Sequence, residues 1–487
     1  MRKMKPIIKT KNIIASLLVS MLFLASSCEE YDFGDTNVNP AQTGTPLPNA
    51  LLTSALWSVS GYETQTAPSL YVQYLSETQY PETSLYAVGP VSWGEYTGVL
   101  QNLNTIINYN TDADTKTKAV DFGSNANQIA VARILKAHVF SKVSDKWGDV
   151  PYTEALNGNT FPSYDTQESI YKDILKELTE AENGFDNGAM PSGDILLNGD
   201  KAKWKKLANS LRMIYSLRLS KRYPGAGDYA ATQFNAALND ADGYIASNAD
   251  NILYAHLDNN NFANRWYSLF LTRADYTISD VMIDKLVTKN DPRLDVYANK
   301  NTNGVYVGLP YGFTRDQLIA WTANNQYSLM GDAITGQTSP SYFITSSYIA
   351  FTRAEAAQLG WTSEVAATLY AKGIEDSWRQ RGVYDAAEFA TYMADAQNAY
   401  AGNMAEKIGD QKWISLFPDG FEMWSDWRRT GYPVLTPTPN FLNDNGNIPL
   451  RYNYPSNESD LNSENYDAAV ARLANGDNDD SPVWWDN

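Results

Sequence analysis

Residues 127–156 constrain the fold more than any other stretch, because they have the pattern of one long helix with a fixed end. Apolar residues recur there at every fourth position, along one helix face. They are Val131, Leu135, Val139, Val143 and Trp147. Gly148 follows, where a left-handed cap is least costly, and Pro151 cannot continue a helix. We therefore predict a helix that stops at residue 148, with Asp145 and Asp149 capping the turn rather than binding a metal.

The first 27 residues have the pattern of a secretory signal peptide. Five basic residues fall within the first 12, and residues 13–25 are apolar or small but too few to span a bilayer. The sequence LASSC then ends at Cys28, the only cysteine, in the order of a bacterial lipobox. Such a cysteine receives several acyl chains, and each buried methylene adds about 0.8 kcal/mol of anchoring. We predict a signal peptide at 1–27 and lipidation of Cys28; the alternative is an incidental or buried cysteine.

Residues 28–48 are predicted to form a tether and an extended arm. Three acidic residues follow Cys28 within four positions, and prolines interrupt the region beyond them without periodicity. The acidic cluster is either a surface-export signal or a solvated tether. With its one cysteine lipidated, the mature chain has no disulfide and must depend on its core.

The net charge limits the partners of this chain. It is −18 overall, and without the basic leader 33 basic residues face 56 acidic ones. An acidic surface repels nucleic acid and anionic headgroups, so neither is an expected partner. His138 and His256 are the only histidines and lie far apart, which argues against a histidine metal centre or a histidine-dependent triad.

Helical periodicity dominates the rest of the chain, which predicts an all-α fold. We predict helices at about 48–60, 65–76, 95–109, 127–147, 165–183, 201–222, 230–247, 280–289, 345–359 and 362–381. In the last pair, Ala354, Ala366 and Gly373 are small and Tyr370 can fill the gap between helices, which is the tetratricopeptide spacing. We predict tetratricopeptide-type helix pairs at about 95–147, 168–222, 230–289 and 345–381, within one domain at 49–487. They would form a right-handed superhelical scaffold with long irregular aromatic loops packed on it; the alternative is a generic helical bundle.

Residues 250–345 interrupt this rhythm. They are rich in Asn, Tyr, Gly and Thr, with one clear short helix at 280–289. The tail from about residue 408 is again expected to be aromatic and rich in turns. Long irregular segments within a helical array are more often functional than idle. We therefore expect the excursion at 250–345 to lie on the ligand side.

Aromatic residues in loops are our candidate ligand contacts, since sugar rings stack on flat aromatic faces and bind polar groups at the rim. Two regions combine both, one near 80–93 and one within 250–345. The candidates are Tyr80, Tyr86, Trp93, Trp266, Tyr267, Arg273, Tyr276, Trp321 and Tyr327. Plain packing is the alternative for each of them.

Motifs for catalysis, nucleotides or metals do not stand out. The sequence has no GxSxG elbow, HExxH motif, Walker loop or dinucleotide fingerprint. Residues 443–447 and 476–480 resemble calcium loops but lack the bidentate glutamate, so we interpret them as a turn and a solvated tail. No cofactor is expected; a structural calcium ion is possible but not predicted. Paired carboxylates for glycoside hydrolysis are too common among 56 acids to be informative.

Several collinear motifs together resemble the SusD/RagB family of nutrient-binding lipoproteins. They lie at 35–40, 142–156, 164–171, 204–220, 291–294, 354–356, 409–416, 422–431 and 448–455. They include KVSDKWGDVPYTEAL at 142–156 and EMWSDWRRTG at 422–431, and the resemblance is to the SusD-like branch. Its tryptophans and arginines are expected to form a packed wall with guanidinium groups stacked on indoles. These residues are Trp413, Trp424, Trp427, Arg428 and Arg429.

The resemblance implies an outer-membrane surface lipoprotein that covers a SusC-like TonB-dependent transporter. It would capture an oligosaccharide and deliver it without chemistry. The same role for peptides, as in RagB-like proteins, is an alternative, and so is a lipoprotein glycoside hydrolase that uses paired carboxylates. A protein-binding scaffold is a third class. Ligand residues are poorly retained across this family, so the resemblance assigns none of them here.

Overall fold

The computed structural model describes residues 45–487, and most of the secondary structure is helical. In the first half the helices are α1 Pro48–Ser60, α2 Thr66–Tyr71, α3 Gln101–Thr111, α4 Lys116–Ala119, α5 Asn125–Trp147, α6 Gln167–Asn183, α7 Lys201–Arg218 and α8 Tyr229–Leu238. Further along they are α9 Arg265–Phe270, α10 Asp280–Thr288, α11 Leu294–Tyr297, α12 Arg315–Thr322 and α13 Asp332–Thr335. The remainder are α14 Ser346–Gln358, α15 Ala366–Gln380, α16 Ala386–Ala394, α17 Met404–Leu416, α18 Gly420–Thr430, α19 Glu458–Leu461 and α20 Ser463–Val470. The predicted signal peptide, Cys28 and most of the arm lie outside the described residues.

Within residues 45–487, six short strands form three antiparallel pairs. They are β1 Leu75–Glu77, β2 Val150–Pro151, β3 Tyr164–Asp165, β4 Ile252–Tyr254, β5 Tyr276–Ile278 and β6 Ser341–Ile344. The pairs are β1 with β5, β2 with β3, and β4 with β6. Ile252 lies opposite Ile344, so the excursion leaves and re-enters the helical array at one place. Glu77 lies opposite Tyr276, which joins the N-terminal aromatic loop to the excursion.

The helical array follows chain order, and the all-α, tetratricopeptide-like prediction is confirmed. Helix α5 packs against both α3 and α6, α6 packs on α7, and α7 packs on α8. Helices α14 and α15 form the most extensive helix pair. The segment at 230–289 differs from its prediction: α8 packs chiefly on the preceding helix α7 rather than on α10. It also ends at Leu238, several residues before the predicted end.

The pair α14–α15 shows why its small residues matter. A Cβ atom at Gly373 would lie 2.6 Å from the Phe351 ring, so only glycine allows this approach. The Tyr370 ring meets Phe351 at 6.1 Å between centroids, and Ala354 is fully buried beside them. The spacing of small residues therefore identified a real helix contact.

Helix α5 confirms the opening prediction, with one correction. Ser124 caps its start, and Gly148 follows its last residue with φ 85° and ψ −116°. The positive φ favours glycine as predicted, but the ψ value places Gly148 outside the left-handed helical region. The turn supplies its own hydrogen bonds, because Gly148 N–H donates to the Ser144 carbonyl and the Ser144 hydroxyl donates back to the Gly148 carbonyl. Asp145 and Asp149 are therefore not its caps, and that interpretation was wrong.

Asp145 and Asp149 instead fasten distant elements to the end of α5. Asp149 accepts the backbone N–H of Gln167 at 2.7 Å. Asp145 accepts the indole N–H of Trp485 at 2.8 Å and the hydroxyl of Tyr171. The carboxylates link α6 and the C-terminal residues to one turn, which explains why acidic residues occur in a buried motif.

The excursion and the tail contain more helix than the sequence predicted. Helices α9, α11, α12 and α13 accompany α10 within 250–345, and α16 lies beyond the last predicted helix. The tail begins with α17 and α18, and beyond residue 430 it is irregular apart from the short helices α19 and α20. Residues 72–76 leave the predicted second helix and enter β1. The short helices lack the several turns of apolar periodicity on which the predictions depended.

Charged residues of the C-terminal motifs form an interior network. The Glu422 carboxylate pairs with Lys142 and Arg218 and accepts the Tyr348 hydroxyl at 2.6 Å. Burial opposes ionisation of Glu422, but Arg218 and Lys142 hold its pKa well below the ordinary value. The Arg428 guanidinium lies 3.7 Å from the Trp424 ring centre, as predicted. Arg429 differs from the prediction, because it pairs with Glu355 and Asp426 rather than with an indole. These motifs therefore serve the core of the described chain.

Candidate functional site

The loop that carries Tyr80 is fixed at both ends by strand β1. The buried Glu77 carboxylate accepts the backbone N–H of Ser84 at 2.8 Å and its hydroxyl at 2.9 Å. Burial raises the pKa of Glu77, and the Ser84 hydrogen bonds oppose that rise. Thr78 N–H donates to the carbonyl of Asp275 at 2.8 Å, just before β5. The loop tip is thereby held against the first residues of β5.

Tyr80 is exposed and lies between two guanidinium groups. Its ring centre is 5.4 Å from the guanidinium carbon of Arg273 and 5.6 Å from that of Arg315, and the residue is 42% exposed. Asp275 holds Arg273 through an ion pair of 2.7 Å. Arg315 has no hydrogen bond or ion pair within residues 45–487. The arrangement offers an aromatic face with unused hydrogen-bond donors beside it.

Helix α12 positions Arg315 at one end and Trp321 at the other. Thr314 and Gln317 form a capping box that fixes the helix start, and the amide of Asn440 donates to Gln317 at 3.0 Å. The Trp321 and Tyr327 rings lie 6.4 Å apart with a 37° tilt, and both are half-exposed. Burial raises the pKa of Tyr327.

The neighbour of Tyr327 connects this ring pair to β5. The Thr277 hydroxyl donates to the Ser328 carbonyl at 2.6 Å. The half-buried Tyr276 precedes Thr277 in β5 and faces the end of β1. We name the resulting set of residues the Tyr80 surface. It consists of Tyr80, Arg273, Tyr276, Arg315, Trp321 and Tyr327.

Two predicted contacts are buried, and their prediction is corrected. Tyr86 is 0% exposed and its hydroxyl accepts the backbone N–H of Thr438, while Trp266 is 1% exposed and packs on Phe270. Neither ring has a face for a ligand. Both instead support the loops, and Tyr86 does so with a positive φ of 66° that turns its loop inward.

Trp93 and Tyr267 are partly accessible but lie outside the Tyr80 surface. The Trp93 ring packs against Tyr96, Trp147 and Tyr164 and thus belongs mainly to the core. Tyr267 is half-buried on α9, and within the described chain its ring contacts none of the residues of the Tyr80 surface. For these two residues a ligand contact remains a prediction.

Sequence reasoning missed Arg315, although a signal for it exists. The sequence TRDQ at 314–317 matches a capping box, which predicts a helix start and places Arg315 at its first position. The proximity of Arg315 to Tyr80 could not be read in this way. It depends on the pairing of β1 with β5 and on the fold of the excursion.

The acidic side chains of the described residues give little support for a metal-binding site. In the described part of the chain, Glu182, Asp240 and Asp242 are the one group of three carboxylates close enough to share an ion. The Lys205 ammonium lies 3.1 Å from Glu182 and 2.7 Å from Asp242, so it already supplies the positive charge. The two calcium-like loops contact each other, because the Asn443 amide donates to Asp479 at 2.8 Å.

An interior cavity of about 50 Å³ lies near the buried network and is too small for a sugar ring. Glu63, His138 and Asp419 contribute to its lining. Burial raises the pKa of Asp419 to about 6 and lowers the pKa of His138 well below its ordinary value. These shifts reflect desolvation in the core, and we do not assign them to ligand binding.

Comparisons with known proteins agree on one family. Residues 39–455 match the family model SusD-like_2, described as starch-binding and associating with the outer membrane. A comparison with curated proteins found no match. Among the helices of residues 45–487, none is long and apolar enough to cross a membrane.

Solved structures give the same result. A chitin-binding protein is 30% identical to this chain and superposes on it with a TM-score of 0.78. The match covers 91% of this chain and 100% of that protein. A SusD homologue from Bacteroides uniformis is 25% identical over 90% of this chain and 99% of its own, with a TM-score of 0.77. A chitin-binding SusD homologue from Flavobacterium johnsoniae is 23% identical, covers 90% and 97%, and has a TM-score of 0.75.

Proposed function

Because the chain belongs to the SusD-like family, we propose that it is a surface lipoprotein that binds an oligosaccharide and delivers it to a SusC-like TonB-dependent transporter. The observation that carries this proposal is the Tyr80 surface. Tyr80 and the two arginines are exposed, the other three rings are half-exposed, and the surface is built from the 77–84 loop and the excursion rather than from the helical array.

The chemistry of this surface suits binding. Pyranose rings present an apolar face that an exposed tyrosine or tryptophan can cover, and their hydroxyls accept hydrogen bonds from arginine. Arg315 has its donors free for that purpose within the described chain, and Asp275 keeps Arg273 beside the ring. The nearest acid to the Tyr80 ring that the contacts show is Asp275, and its carboxylate is already paired with Arg273 at 2.7 Å.

The relative at 30% identity suggests which ligands to test first. It is a chitin-binding protein, so oligomers of N-acetylglucosamine are the first candidates, followed by malto-oligosaccharides, since the family is described as starch-binding. The ligand itself is not fixed by the fold. A peptide ligand remains an outcome of the same test.

Attachment to the outer membrane would use Cys28. The pattern LASSC and the hydrophobic leader support cleavage before this residue and its lipidation. We expect Cys28→Ala to abolish labelling by a radioactive fatty acid and to shift the protein from the membrane to the soluble fraction. Retention of both label and membrane attachment would refute this anchor.

The binding role is tested with the purified protein by isothermal titration calorimetry. We expect N-acetylglucosamine or maltose oligomers to bind and to be recovered without cleavage. The transporter role is tested by mild detergent extraction, where a TonB-dependent transporter should copurify. Release of shortened sugars would indicate a hydrolase, and binding of peptides alone would replace the glycan proposal.

A further inference from the structure

A second cavity lies between the end of helix α1 and the start of helix α9, and the Tyr80 surface does not include it. Its volume is about 450 Å³, within the range of about 300–1,000 Å³ typical of small-molecule sites. We name it the Trp57 groove. Its lining includes Trp57, Ser58, His256, Asn260, Arg265 and Ser268.

Local structure fixes the position of Arg265 at this groove. The Asn264 side chain accepts the backbone N–H of Trp266 at 2.7 Å, which makes Arg265 the first residue of α9. Gly61 ends α1, and a Cβ atom there would lie 3.8 Å from a terminal guanidinium nitrogen of Arg265. The exposed guanidinium therefore rests beside the turn at the end of α1.

An aromatic cluster holds the Trp57 indole in place. The ring centres of Tyr254, His256 and Phe262 lie 5.6, 6.0 and 5.5 Å from that of Trp57. Phe262 is 43% exposed, and Trp57 is half-exposed. The indole N–H of Trp57 has no hydrogen-bond partner within residues 45–487. The cluster thus offers a rigid flat wall and one free donor, which suits a sugar ring.

The polar side chains that line the Trp57 groove are either cationic or neutral. No carboxylate lines the groove within the described residues, and Arg265 is its one cationic side chain. Burial lowers the pKa of His256, and its Nε2 atom lies 2.9 Å from the Ser341 hydroxyl, so His256 is neutral at physiological pH. Asp258 follows two residues later but is not part of the lining.

Arg265 has no acidic partner among the described residues, although acidic residues outnumber basic ones in this chain. The chain has 56 acidic and 38 basic residues, and Arg273 nearby is paired with Asp275 at 2.7 Å. Arg265 makes no hydrogen bond or ion pair in the described part of the chain. A guanidinium fork matches a carboxylate in geometry and charge. The Ser58 and Ser268 hydroxyls donate to the carbonyls of Ser54 and Asn264, so each offers a sugar hydroxyl only its acceptor oxygen. The Asn260 oxygen accepts from Gln337, which leaves the amide nitrogen of Asn260 as a donor at the groove.

We propose that the Trp57 groove is a second glycan site that binds a hexuronic acid residue, with its carboxylate on Arg265 and its ring against Trp57. This inference rests on the proposed function, since it assumes that the chain binds glycans. It adds a ligand class, an acidic saccharide, and a second location on the molecule. In this proposal the Tyr80 surface binds neutral sugar units.

The test is calorimetric titration of the full chain with a trisaccharide of galacturonic acid and with its neutral galactose counterpart. We expect the acidic trisaccharide to bind about tenfold more tightly. Arg265→Gln should remove that preference and leave the melting temperature unchanged, because the side chain is exposed. Trp57→Ala should weaken binding of the acidic sugar. Arg379→Gln is the matched control and should leave the preference intact, because Arg379 lies on Tyr384 outside both sites.

The outcomes separate this inference from the proposed function. Equal affinity for both sugars, or a preference that survives Arg265→Gln, would overturn the groove proposal. If neutral oligosaccharides still bound through Tyr80 in that case, the proposed function would stand. Binding of the acidic sugar that depends on Arg265 but not on Tyr80 would support the groove, and loss of neutral-sugar binding in Tyr80→Ala would support the Tyr80 surface separately. Absence of any glycan binding would overturn both.

Discussion

Two arginines of this protein lie against aromatic rings in opposite surroundings. Arg428 is 4% exposed, its guanidinium carbon is 3.7 Å from the centre of the Trp424 ring, and it donates to the carbonyls of Asp145 and Leu450 at 2.7 and 2.6 Å. Arg315 is exposed, lies 5.6 Å from the centre of the Tyr80 ring and has no hydrogen-bond partner among the described residues. Contact between an arginine and an aromatic ring is therefore part of the core at Arg428, whereas at Arg315 it leaves the guanidinium donors available to a ligand.

Desolvation accounts for much of this difference. Burial lowers the pKa of Arg428 to about 10, while Asp145 and Asp486 oppose that change, so the group stays charged at neutral pH. A buried charge without its partners costs several kcal/mol, whereas an exposed one costs little. Stability should therefore depend on Arg428 and ligand affinity on Arg315.

The substitution Arg428→Met is the strongest test of this difference between the two arginines. Methionine keeps an unbranched, flexible stem but is shorter and leaves two buried carbonyls without their donors. We expect a loss of about 3–5 kcal/mol in the free energy of unfolding, measured by urea denaturation. Ligand affinity of the remaining folded protein should not change. A loss below about 1 kcal/mol would show that the wall is not a main support of the core.

Asp419→Asn tests the interior through pH. The pKa of Asp419 in the folded protein is about 6, above the ordinary value of 3.8. Between pH 3.8 and 6, the Asp419 carboxyl is therefore protonated in the folded protein but ionised in the unfolded chain. Stability contributed by this group is present below about pH 4 and is lost as pH rises towards 6. We expect Asn to stabilise the protein at pH 7.5 by about 2 kcal/mol and to remove this slope.

The Asp419 effect should appear in urea midpoints compared between pH 4.5 and 7.5. Asn can still accept the backbone N–H of Glu422, which Asp419 accepts at 3.1 Å, so the helix cap is kept. Glycan affinity should not follow the same pH profile. A variant with the wild-type slope would contradict the assignment of this proton to Asp419.

Gly373→Ala tests the close helix contact in the scaffold. The added Cβ atom would lie 2.6 Å from Phe351, which costs energy even though alanine favours helix formation. We expect a net loss of about 1 kcal/mol in thermal or urea unfolding. Gly227→Ala is the control, because a Cβ atom there meets nothing within 4 Å. Equal effects of the two substitutions would argue against the tight contact.

Arg315→Met repeats at the surface the substitution that Arg428→Met makes in the core. We expect the free energy of unfolding to stay within about 0.5 kcal/mol, and ligand affinity to fall about fivefold through the lost cation and donors. Arg379→Met is the control, since Arg379 stacks on Tyr384 at 3.6 Å outside the Tyr80 surface. A loss of affinity in both variants would mean that the effect is not local.

The sequence predicts the scaffold better than the site for a physical reason. Helix α5 and the pair α14–α15 show their packing in local spacing, because each fourth residue or each small residue falls on one face. The stacking of Arg428 was likewise predicted from a short motif. The fold class, the long helices and the stacking of Arg428 thus follow from the sequence alone, whereas the ion pairs of Arg429 do not.

The Tyr80 surface depends instead on contacts between distant segments. Tyr80 meets Arg315 only because three residues of β1 pair with β5 and a capping box begins α12. Tyr86 and Trp266 have the same local pattern as Tyr80 but turn inward, and no periodicity distinguishes them. Whether an aromatic residue in a loop is exposed is a tertiary property, so local sequence patterns cannot separate Tyr80 from the two buried rings.

The most direct test of the central claim is Tyr80→Ala against Tyr384→Ala. Both tyrosines lie beside arginines, but only Tyr80 belongs to the Tyr80 surface. For the glycan that the wild-type protein binds, we predict that calorimetry will show about a tenfold loss of affinity for Tyr80→Ala, with an unchanged melting temperature. Tyr384→Ala should bind like the wild type. Unchanged affinity in Tyr80→Ala, or an equal loss in both variants, would contradict the assignment of ligand binding to this surface.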